Sequence, residues 1–267
     1  MNLTLTTMGT ASAMPISDRN PSAQMLAANG RLFLIDCGEG TQQQMRRCHL
    51  SFVKVEAIFI SHIHGDHLFG LFGLLNSMAM YGRSGVLDIY GPPALGNVLK
   101  FYTNYFGSDD AFEIAFHPLT MKSPEVIHTS KVLRVSAFPL NHKIECYGYR
   151  FDEIVSARHL AENPSYKGKS YAYCSDTAPF PELSEWVRGV GTLYHEATYI
   201  KEMADKAVHR FHSTTADAAR CALEAGAERL IVGHYSSRIT DFEAFLTECR
   251  AVFPATFAAQ DGDVFEI

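Results

Sequence analysis

The sequence predicts an α/β protein in which two mixed sheets pack together and helices cover their outer faces. Strand-forming segments come first, strands mixed with helices follow, and this order occurs twice along the 267 residues. Apolar residues make up 47% of the chain, which is ample for a sizeable core. Since no linker-like stretch divides the chain, we expect one domain over residues 1–267.

Hydrophobic periodicity defines the expected elements of the first part of the chain. The expected strands are Leu3–Met8, Arg31–Asp36, Val55–Ile60 and Val86–Tyr90, and the expected helices are Thr41–Cys48, a Leu- and Phe-rich helix from about Leu68, and Ala94–Phe106. Glycine-rich turns favour these limits: Gly38-Glu39-Gly40 leads into the first helix, and Gly91-Pro92-Pro93 ends the fourth strand.

The remainder of the chain is richer in strands. The expected strands are Glu113–Phe116, Val132–Ala137, Tyr147–Phe151, Tyr171–Cys174, Thr192–Glu196, Arg229–Gly233 and a final strand pair, and the expected helices are Glu182–Val187, Thr214–Ala225 and Asp241–Ala251. Ser213 is expected to cap the helix that starts at Thr214, and Gly226 to end it.

The composition argues against several classes of protein. The net charge of −6 argues against a general polyanion-binding surface. The six cysteines lack paired spacing and are expected to be reduced core residues. The longest apolar stretch, residues 68–81, is too short and too interrupted to span a bilayer, and the first residues do not resemble a signal peptide. We therefore expect a soluble cytoplasmic protein without membrane contact.

The seven residues after the apolar strand Val55–Ile60 carry three imidazoles and a carboxylate. Neutral imidazole nitrogens bind borderline cations at about 2.0–2.1 Å, and carboxylate oxygens bind at a similar distance. His62 and His64, two positions apart, can reach one metal, while Asp66 and His67 point at a second. Without a cation these side chains would repel one another or need other partners. The stretch therefore predicts a metal-binding loop.

Three more residues of metal-ligand type, His142, Asp176 and His234, come shortly after other apolar strands. Considered alone, each of these residues would more often cap a secondary-structure element or pack against its neighbours. Together with the first loop they supply two three- or four-coordinate sites at one sheet edge, with Asp176 able to bridge them. A carboxylate bridge holds two metal ions roughly 3.5–4 Å apart. At this separation both ions can bind the same water molecule and lower its pKa toward 7.

With these residues placed, the chain resembles the metallo-β-lactamase superfamily and, within it, the ribonuclease Z (tRNA 3′-processing endoribonuclease) family. The superfamily motif H-x-H-x-D-H matches residues 62–67. Matches to the ribonuclease Z group are Gly9-Thr10, Arg19-Asn20-Pro21-Ser22-Ala23, Asp36-Cys37-Gly38-Glu39-Gly40-Thr41-Gln42, His195-Glu196-Ala197-Thr198, His212-Ser213-Thr214 and His234-Tyr235-Ser236-Ser237-Arg238. These motifs extend over nearly the whole chain and are specific in combination.

The resemblance implies a four-layer αββα sandwich that holds two zinc ions, with manganese or iron as alternatives. One zinc would be bound by His62, His64, His142 and Asp176, and the other by Asp66, His67, Asp176 and His234. Asp36 is implied to steady the metal loop by hydrogen bonding to a ligand.

The activity implied is hydrolysis of RNA phosphodiester bonds by a metal-bound hydroxide, as in tRNA 3′-end processing. Asp66 is implied to orient or deprotonate the attacking water. Glu196 and His212 are implied to act as a pair that protonates the leaving ribose oxygen, with the carboxylate holding the imidazole. Without the motifs, His212 would be interpreted as an exposed loop residue and Glu196 as a surface charge.

Three further residues of the same motifs, His195, Ser213 and Arg238, have more than one possible role. Strand alternation would point His195 away from Glu196, so packing and function remain equal alternatives for it. Arg238 and Ser213 are candidates for contact with phosphate.

The chain departs from the family in one respect. Ribonuclease Z proteins that process tRNA usually carry a long arm between the ligands matching His142 and Asp176, and here only 33 residues separate them. A single subunit should therefore bind folded RNA more weakly than a family member that carries the arm. A small-substrate phosphodiesterase acting on cyclic nucleotides or similar esters stays open as an alternative, as does a hydrolase of carboxylic esters or lactams. The family implies a homodimer, for which the apolar Leu68–Tyr81 helix is a candidate face.

Overall fold

The computed structural model of the chain describes residues 2–14, 16–107 and 112–267. Within these residues, fourteen strands form two mixed sheets of seven strands each. In spatial order, the first sheet consists of β14 (Val264–Glu266), β1 (Leu3–Gly9), β2 (Ala23–Ala28), β3 (Arg31–Ile35), β4 (Val55–Phe59), β5 (Leu87–Gly91) and β6 (Ile114–Pro118). The second consists of β13 (Thr256–Ala258), β12 (Arg229–Gly233), β11 (Thr192–Glu196), β10 (Ser170–Cys174), β9 (Tyr147–Glu153), β8 (Leu133–Pro139) and β7 (Glu125–Thr129).

The helices connect these strands. They are α1 (Thr41–Arg47), α2 (Gly65–Leu68), α3 (Leu71–Met80), α4 (Ala94–Phe106), α5 (Ala157–Glu162), α6 (Glu182–Trp186), α7 (Ala204–His209), α8 (Thr215–Ala225) and α9 (Phe242–Arg250), with 3₁₀ turns at Phe52–Lys54 and Lys201–Met203. In the described ranges, every helix is too short or too polar to cross a membrane.

Three apolar clusters define the layers. One lies between the two sheets, one joins α1, α3 and α4 to the outer face of the first sheet, and one joins α6, α8 and α9 to the outer face of the second. Strand β3 contributes to two of them, because Phe33 and Ile35 face the central cluster while Leu32 and Leu34 face the helices. A strand covered on both faces is expected to be a continuous apolar run, as β3 is. The predicted αββα sandwich is therefore confirmed.

The strand directions gather several loops at one edge. Strands β3 to β6 are parallel to one another, and so are β10 to β13. Strand β8 runs in the direction of β10 because both are antiparallel to β9. Near this edge two tyrosines tie the sheets together, since the hydroxyl of Tyr149 donates to the carbonyl of Ile60 and that of Tyr173 donates to Asp36, each at 2.6 Å.

Five elements, β2, α2, β7, α5 and α7, lie outside the prediction from sequence, and α2 forms within the segment that was predicted to be the metal-binding loop. The residues of β2, Ala-Gln-Met-Leu-Ala-Ala, favour helices, but hydrogen bonding to β1 and β3 on both sides makes this segment a strand. Strand β7 lies at a sheet edge and is largely exposed, and α5 buries no residue. Both therefore lack the apolar period on which the prediction depends.

The prediction is wrong in two details of the C-terminal region. The cap of α8 is Thr214, which forms a capping box with Asp217, and not Ser213. The last two strands do not pair with each other: β13 pairs with β12, and β14 pairs with β1 in the other sheet. Gly226 ends α8 in the left-handed conformation, as expected.

Candidate metal centre

The seven predicted metal ligands converge where β4, β8, β10 and β12 end. Two groups of ligand atoms form there, and the atoms within each group lie within 4.8 Å of one another. The first group is His62, His64, His142 and Asp176, and the second is Asp66, His67 and His234. A third overlapping group adds His212 to Asp176 and His234.

Asp176 lies between the first two groups. Its Oδ2 is 3.7 Å from Nε2 of His62 and 3.9 Å from Nε2 of His142. Its Oδ1 is 3.2 Å from Nε2 of His234 and 3.4 Å from Nε2 of His67. Because each oxygen faces a different group, the carboxylate occupies the position that a bridging ligand requires.

The outward nitrogens of three of these imidazoles are bound to oxygens. Nδ1 of His67 is 2.8 Å from a carboxylate oxygen of Asp36, and Nδ1 of His142 is 2.9 Å from the carbonyl of Phe211. Nδ1 of His234 is 2.9 Å from the hydroxyl of Thr198. These contacts assign the proton to Nδ1, so that Nε2 presents a lone pair to the centre.

The inward-facing atoms fit a cation. Nε2 of His62 is 2.9 Å from Nδ1 of His64, and Nε2 of His67 is 3.2 Å from Nε2 of His234. Among the residues that the structure describes, Oδ1 of Asp176 is buried without a hydrogen-bond partner. Lone pairs facing one another around a buried carboxylate oxygen are unfavourable unless a cation lies among them. A donor set of imidazole nitrogens and carboxylate oxygens suits zinc, manganese or iron.

The charges of the ligands agree with this interpretation. Burial holds the pKa values of His62, His64 and His142 below their ordinary value, which favours the neutral, metal-binding form. For His67, burial also lowers the pKa, but the nearby carboxylates, Asp176 foremost, outweigh burial and raise it well above the usual range. The negative field that would hold a proton on His67 would equally hold a metal cation.

Asp36 supports the metal loop, as expected from its motif. Besides the ring of His67, its carboxylate accepts hydrogen bonds from the amide of Ser61 at 2.7 Å, from the hydroxyl of Ser61 at 2.8 Å and from Tyr173 of the other sheet. Asp36 is completely buried, so these donors replace the water that a carboxylate would otherwise bind. These hydrogen bonds therefore fix the loop to both sheets.

Glu196 and His212 form a hydrogen-bonded pair beside the ligands. Oε1 of Glu196 lies 3.0 Å from Nδ1 of His212 and accepts the amide of Ser213 at 2.8 Å and that of Thr177 at 3.2 Å. Burial opposes the charge on His212, but Glu196 and Asp176 outweigh it and raise the pKa of His212 to about 9. With Nδ1 held by the carboxylate, Nε2 is the atom of His212 that is available to a substrate.

Thr198 is a residue whose role sequence reasoning missed, although it belongs to the motif that contains Glu196. Its hydroxyl donates to Oε2 of Glu196 at 2.8 Å and accepts from Nδ1 of His234. It also lies 3.3 Å from Nδ1 of His212. One hydroxyl therefore connects a candidate metal ligand with the Glu196–His212 pair.

The three remaining motif residues, His195, Ser213 and Arg238, lie in different environments. His195 is buried, and its Nδ1 lies 2.7 Å from the carbonyl of Glu196. It lines a small cavity of about 60 Å³ that helix α8 also lines, on the side of β11 away from the ligands. Ser213 is buried and its hydroxyl donates to the carbonyl of Thr177, whereas Arg238 is exposed.

Backbone conformation also distinguishes this region. The described ranges contain five non-glycine residues with positive φ, and three of them are Asp36 (φ 55°), Phe211 (φ 59°) and His234 (φ 60°). The left-handed conformation is uncommon for such residues, and its cost is of order 1–3 kcal/mol where the surroundings enforce it. These residues supply a carboxylate, an accepting carbonyl and a candidate ligand, so the strain coincides with the centre.

Comparison with known proteins places the chain among hydrolases of this fold. Residues 31–235 match the family model described as a beta-lactamase superfamily domain. The chain is 34% identical over 290 residues to ribonuclease Z of Porphyromonas gingivalis, covering 95% of each protein. It is 35% identical over 303 residues to ribonuclease Z of Cytophaga hutchinsonii, covering 100% of this chain and 97% of that one.

Its structure is similar to that of human tRNase Z, short form, with a TM-score of 0.83, 27% sequence identity and 99% of each chain covered.

The alignment with the Cytophaga hutchinsonii protein also shows a difference in length. Its 303 positions exceed the 267 residues of this chain, which leaves about 36 positions where that relative has residues and this chain has none. Between β9 and β10, this chain has only residues 154–169, of which Ala157–Glu162 form α5.

Proposed function

The chain belongs to the ribonuclease Z family of the metallo-β-lactamase superfamily, and from that premise we propose that it cleaves RNA phosphodiester bonds of tRNA 3′ ends with two zinc ions. The family makes it a metal-dependent hydrolase. The observation that carries the proposal is the convergence of two ligand groups beside the Glu196–His212 pair. A phosphodiester is an anion with a poor leaving group, so its hydrolysis needs positive charge at the phosphate and a proton at the leaving oxygen.

The proposed ligands divide into two sets that share Asp176. One ion would be held by His62, His64, His142 and Asp176, and the other by Asp66, His67, His234 and Asp176. When bound, such ions supply Lewis-acid chemistry, since they polarise phosphate oxygens and lower the pKa of water toward 7.

The residues of the chain have separate tasks in this proposal. Asp66 orients the attacking water by accepting its hydrogen bond, because its carboxylate is only slightly exposed and lies within the second ligand group. Glu196 holds Nδ1 of His212, which leaves Nε2 to donate a proton to the departing ribose oxygen. The carboxylates of Glu196 and Asp176 stabilise the charged form of that imidazole.

Side-by-side assays test the proposal. Freshly purified protein should contain about two divalent ions per chain, and it should cleave precursor tRNA faster than it hydrolyses bis-p-nitrophenyl phosphate or cyclic nucleotides. Chelation should abolish all of these activities, and zinc should restore them. Protein that contains no metal, or that leaves precursor tRNA intact while hydrolysing small esters, would contradict the proposal.

A small-substrate phosphodiesterase is the second candidate. It is favoured by the roughly 36 positions that the chain lacks relative to the Cytophaga hutchinsonii protein, and by the net charge of −6. Phosphate contacts supply most of the affinity for a large RNA, and an acidic chain with a short segment between β9 and β10 offers fewer of them. Faster turnover of cyclic nucleotides than of precursor tRNA, at equal metal content, would select this candidate.

We also propose a single domain over residues 1–267 and a homodimer. The end of α3 exposes Met80 and Tyr81, by 69% and 56%, which offers an apolar contact surface. Sedimentation velocity of the wild-type protein and of the Tyr81→Glu variant tests the dimer, because a charge in this surface should shift the protein toward monomer.

A further inference from the structure

Phe69 is a large aromatic residue that is exposed directly after the candidate metal loop. It follows His67 by two residues and caps the short helix α2, and its amide donates to the carbonyl of Gly65 at 2.9 Å. Its side chain is nevertheless 71% exposed. Other aromatic side chains of the chain are also exposed, so what distinguishes Phe69 is its position two residues after the candidate ligand His67.

The ring is held against the metal loop. A Cβ atom added at Gly65 would lie 2.5 Å from Cε2 of Phe69 and 2.8 Å from Cδ2 and Cζ, so the ring occupies the space that a side chain would fill there. Gly65 lies between the candidate ligands His64 and Asp66 in sequence. One side of the ring therefore packs on the loop, and the rest is open to solvent.

We propose that Phe69 stacks on a nucleobase next to the scissile phosphate. The inference rests on the proposed function, because a phosphate held by the ligands brings its neighbouring bases to the rim of the same loop. An aromatic platform binds every base through its π-face and so tolerates different sequences. It also contributes affinity without positive charge, which suits a chain with a net charge of −6.

The chain offers a matched control for ordinary surface exposure. Tyr105 on α4 is 72% exposed, almost the same fraction as Phe69, and its ring packs against Phe101 of the same helix. A general effect of removing an exposed aromatic side chain should appear equally in Phe69→Ala and Tyr105→Ala. An effect specific to stacking should appear only in Phe69→Ala.

The experiment combines these variants with RNA substrates that lack one base. Short RNAs carrying a single cleavage site are prepared intact and with an abasic ribose at the first nucleotide on either side of that site, and kcat/KM is measured with zinc-loaded protein. For the wild type and Tyr105→Ala, we expect loss of one of these bases to lower kcat/KM by about five- to 150-fold, the range that one stacked base corresponds to. For Phe69→Ala, intact and abasic RNA should be cleaved at nearly the same rate, and Phe69→Trp should restore the preference for the intact substrate.

Each outcome separates this inference from the proposed function. If the wild type cleaves RNA but the ratio between intact and abasic substrates is the same in Phe69→Ala, the stacking proposal is overturned and the proposed function stands. If the wild type cleaves no RNA, both are overturned. If sedimentation shows that Phe69→Ala converts a dimer to a monomer while the ratio is unchanged, the ring belongs to a contact between copies and the proposal is likewise overturned.

Discussion

Two clusters of histidines and carboxylates in this molecule have similar composition and different geometry. The first is the candidate metal centre. The second, which we call the edge cluster, consists of Glu56, Asp88, Tyr90, His117 and His128, where β4 to β6 approach β7. Within the described residues, all groups of three or more potential ligand atoms that lie close enough to share an ion belong to the first cluster.

The edge cluster holds its polar groups in separate pairs, apart from Nε2 of His128, which is buried without a hydrogen-bond partner in the described part of the chain. Nε2 of His117 lies 2.7 Å from Asp88, and its ring stacks on Tyr90 with centroids 4.5 Å apart. Nδ1 of His128 lies 3.1 Å from the hydroxyl of Tyr90, while its Nε2 is 3.8 Å from Glu56. In the centre, by contrast, the outward nitrogens are bound to oxygens and the inward nitrogens face one another. Convergence of lone pairs, enforced by outer hydrogen bonds, therefore distinguishes the candidate metal centre from the edge cluster.

Removing the shared carboxylate should have the largest effect. We expect Asp176→Asn to lose at least one ion and to lower RNA cleavage by about ten-thousandfold, since it removes most of the several kcal/mol that Lewis-acid catalysis supplies. Asp88→Asn in the edge cluster is the matched control and should keep both metal and activity. Metal analysis and single-turnover cleavage measure the two effects. Equal metal content in the two variants would contradict the comparison.

Removing the proton donor should have the next largest effect. We expect His212→Ala to lower RNA cleavage by about a hundred- to ten-thousandfold, but to affect hydrolysis of bis-p-nitrophenyl phosphate far less, because nitrophenolate leaves without a proton. His117→Ala, which removes a carboxylate-paired histidine of the edge cluster, should change neither rate. If His212→Ala lowered the rates of hydrolysis of both substrates equally, His212 would not be the proton donor.

Thr198 tests the importance of the outer hydrogen bonds. We expect Thr198→Val to lower metal affinity by about ten- to a hundredfold, because His234 and Glu196 lose the hydroxyl that orients them. Thr198→Ser keeps the hydroxyl and should restore affinity, which competition with a chelator can measure. If both variants bound metal alike, the hydroxyl would not fix the ligand geometry.

The smallest effect is expected in the edge cluster itself. His117 and Asp88 have side chains that are 44% and 32% exposed, so solvent screens their interaction. We expect Asp88→Asn to change the free energy of unfolding by about 0–1 kcal/mol. Urea denaturation of the metal-free protein provides the measurement, and a loss well above this range would mean that the pair has a structural role.

The sequence was informative where function and fold depend on short segments. The loop after β4 places four potential ligands within six positions, and His142, Asp176 and His234 each follow a strand, so their convergence could be predicted before any coordinates. Helix α4 and strands β11 and β12 have the bounds that periodicity predicted. Apolar runs and strand ends are recognised from neighbouring residues alone, so a single sequence is enough to predict them.

Features that depend on distant partners could not be predicted. Strand β2 is composed of residues that favour helices, and only pairing with β1 and β3 makes it a strand. The carbonyl of Phe211 accepts from His142, 69 positions away, and any residue type would supply that carbonyl. Thr198 belongs to the same motif as Glu196, but its bonds to Glu196 and His234 depend on the packing of β11 beside β12.

The proposed ligands come from loops of both sheets, so metal binding would be coupled to the stability of the protein. Four of the proposed ligands follow β4 in the first sheet, while His142, Asp176 and His234 follow strands of the second. Each bound ion would therefore fasten one half of the molecule to the other, and its binding free energy would add to that of folding. A cell short of zinc would then lose this protein to proteolysis as well as its activity, so that its abundance would follow the supply of metal.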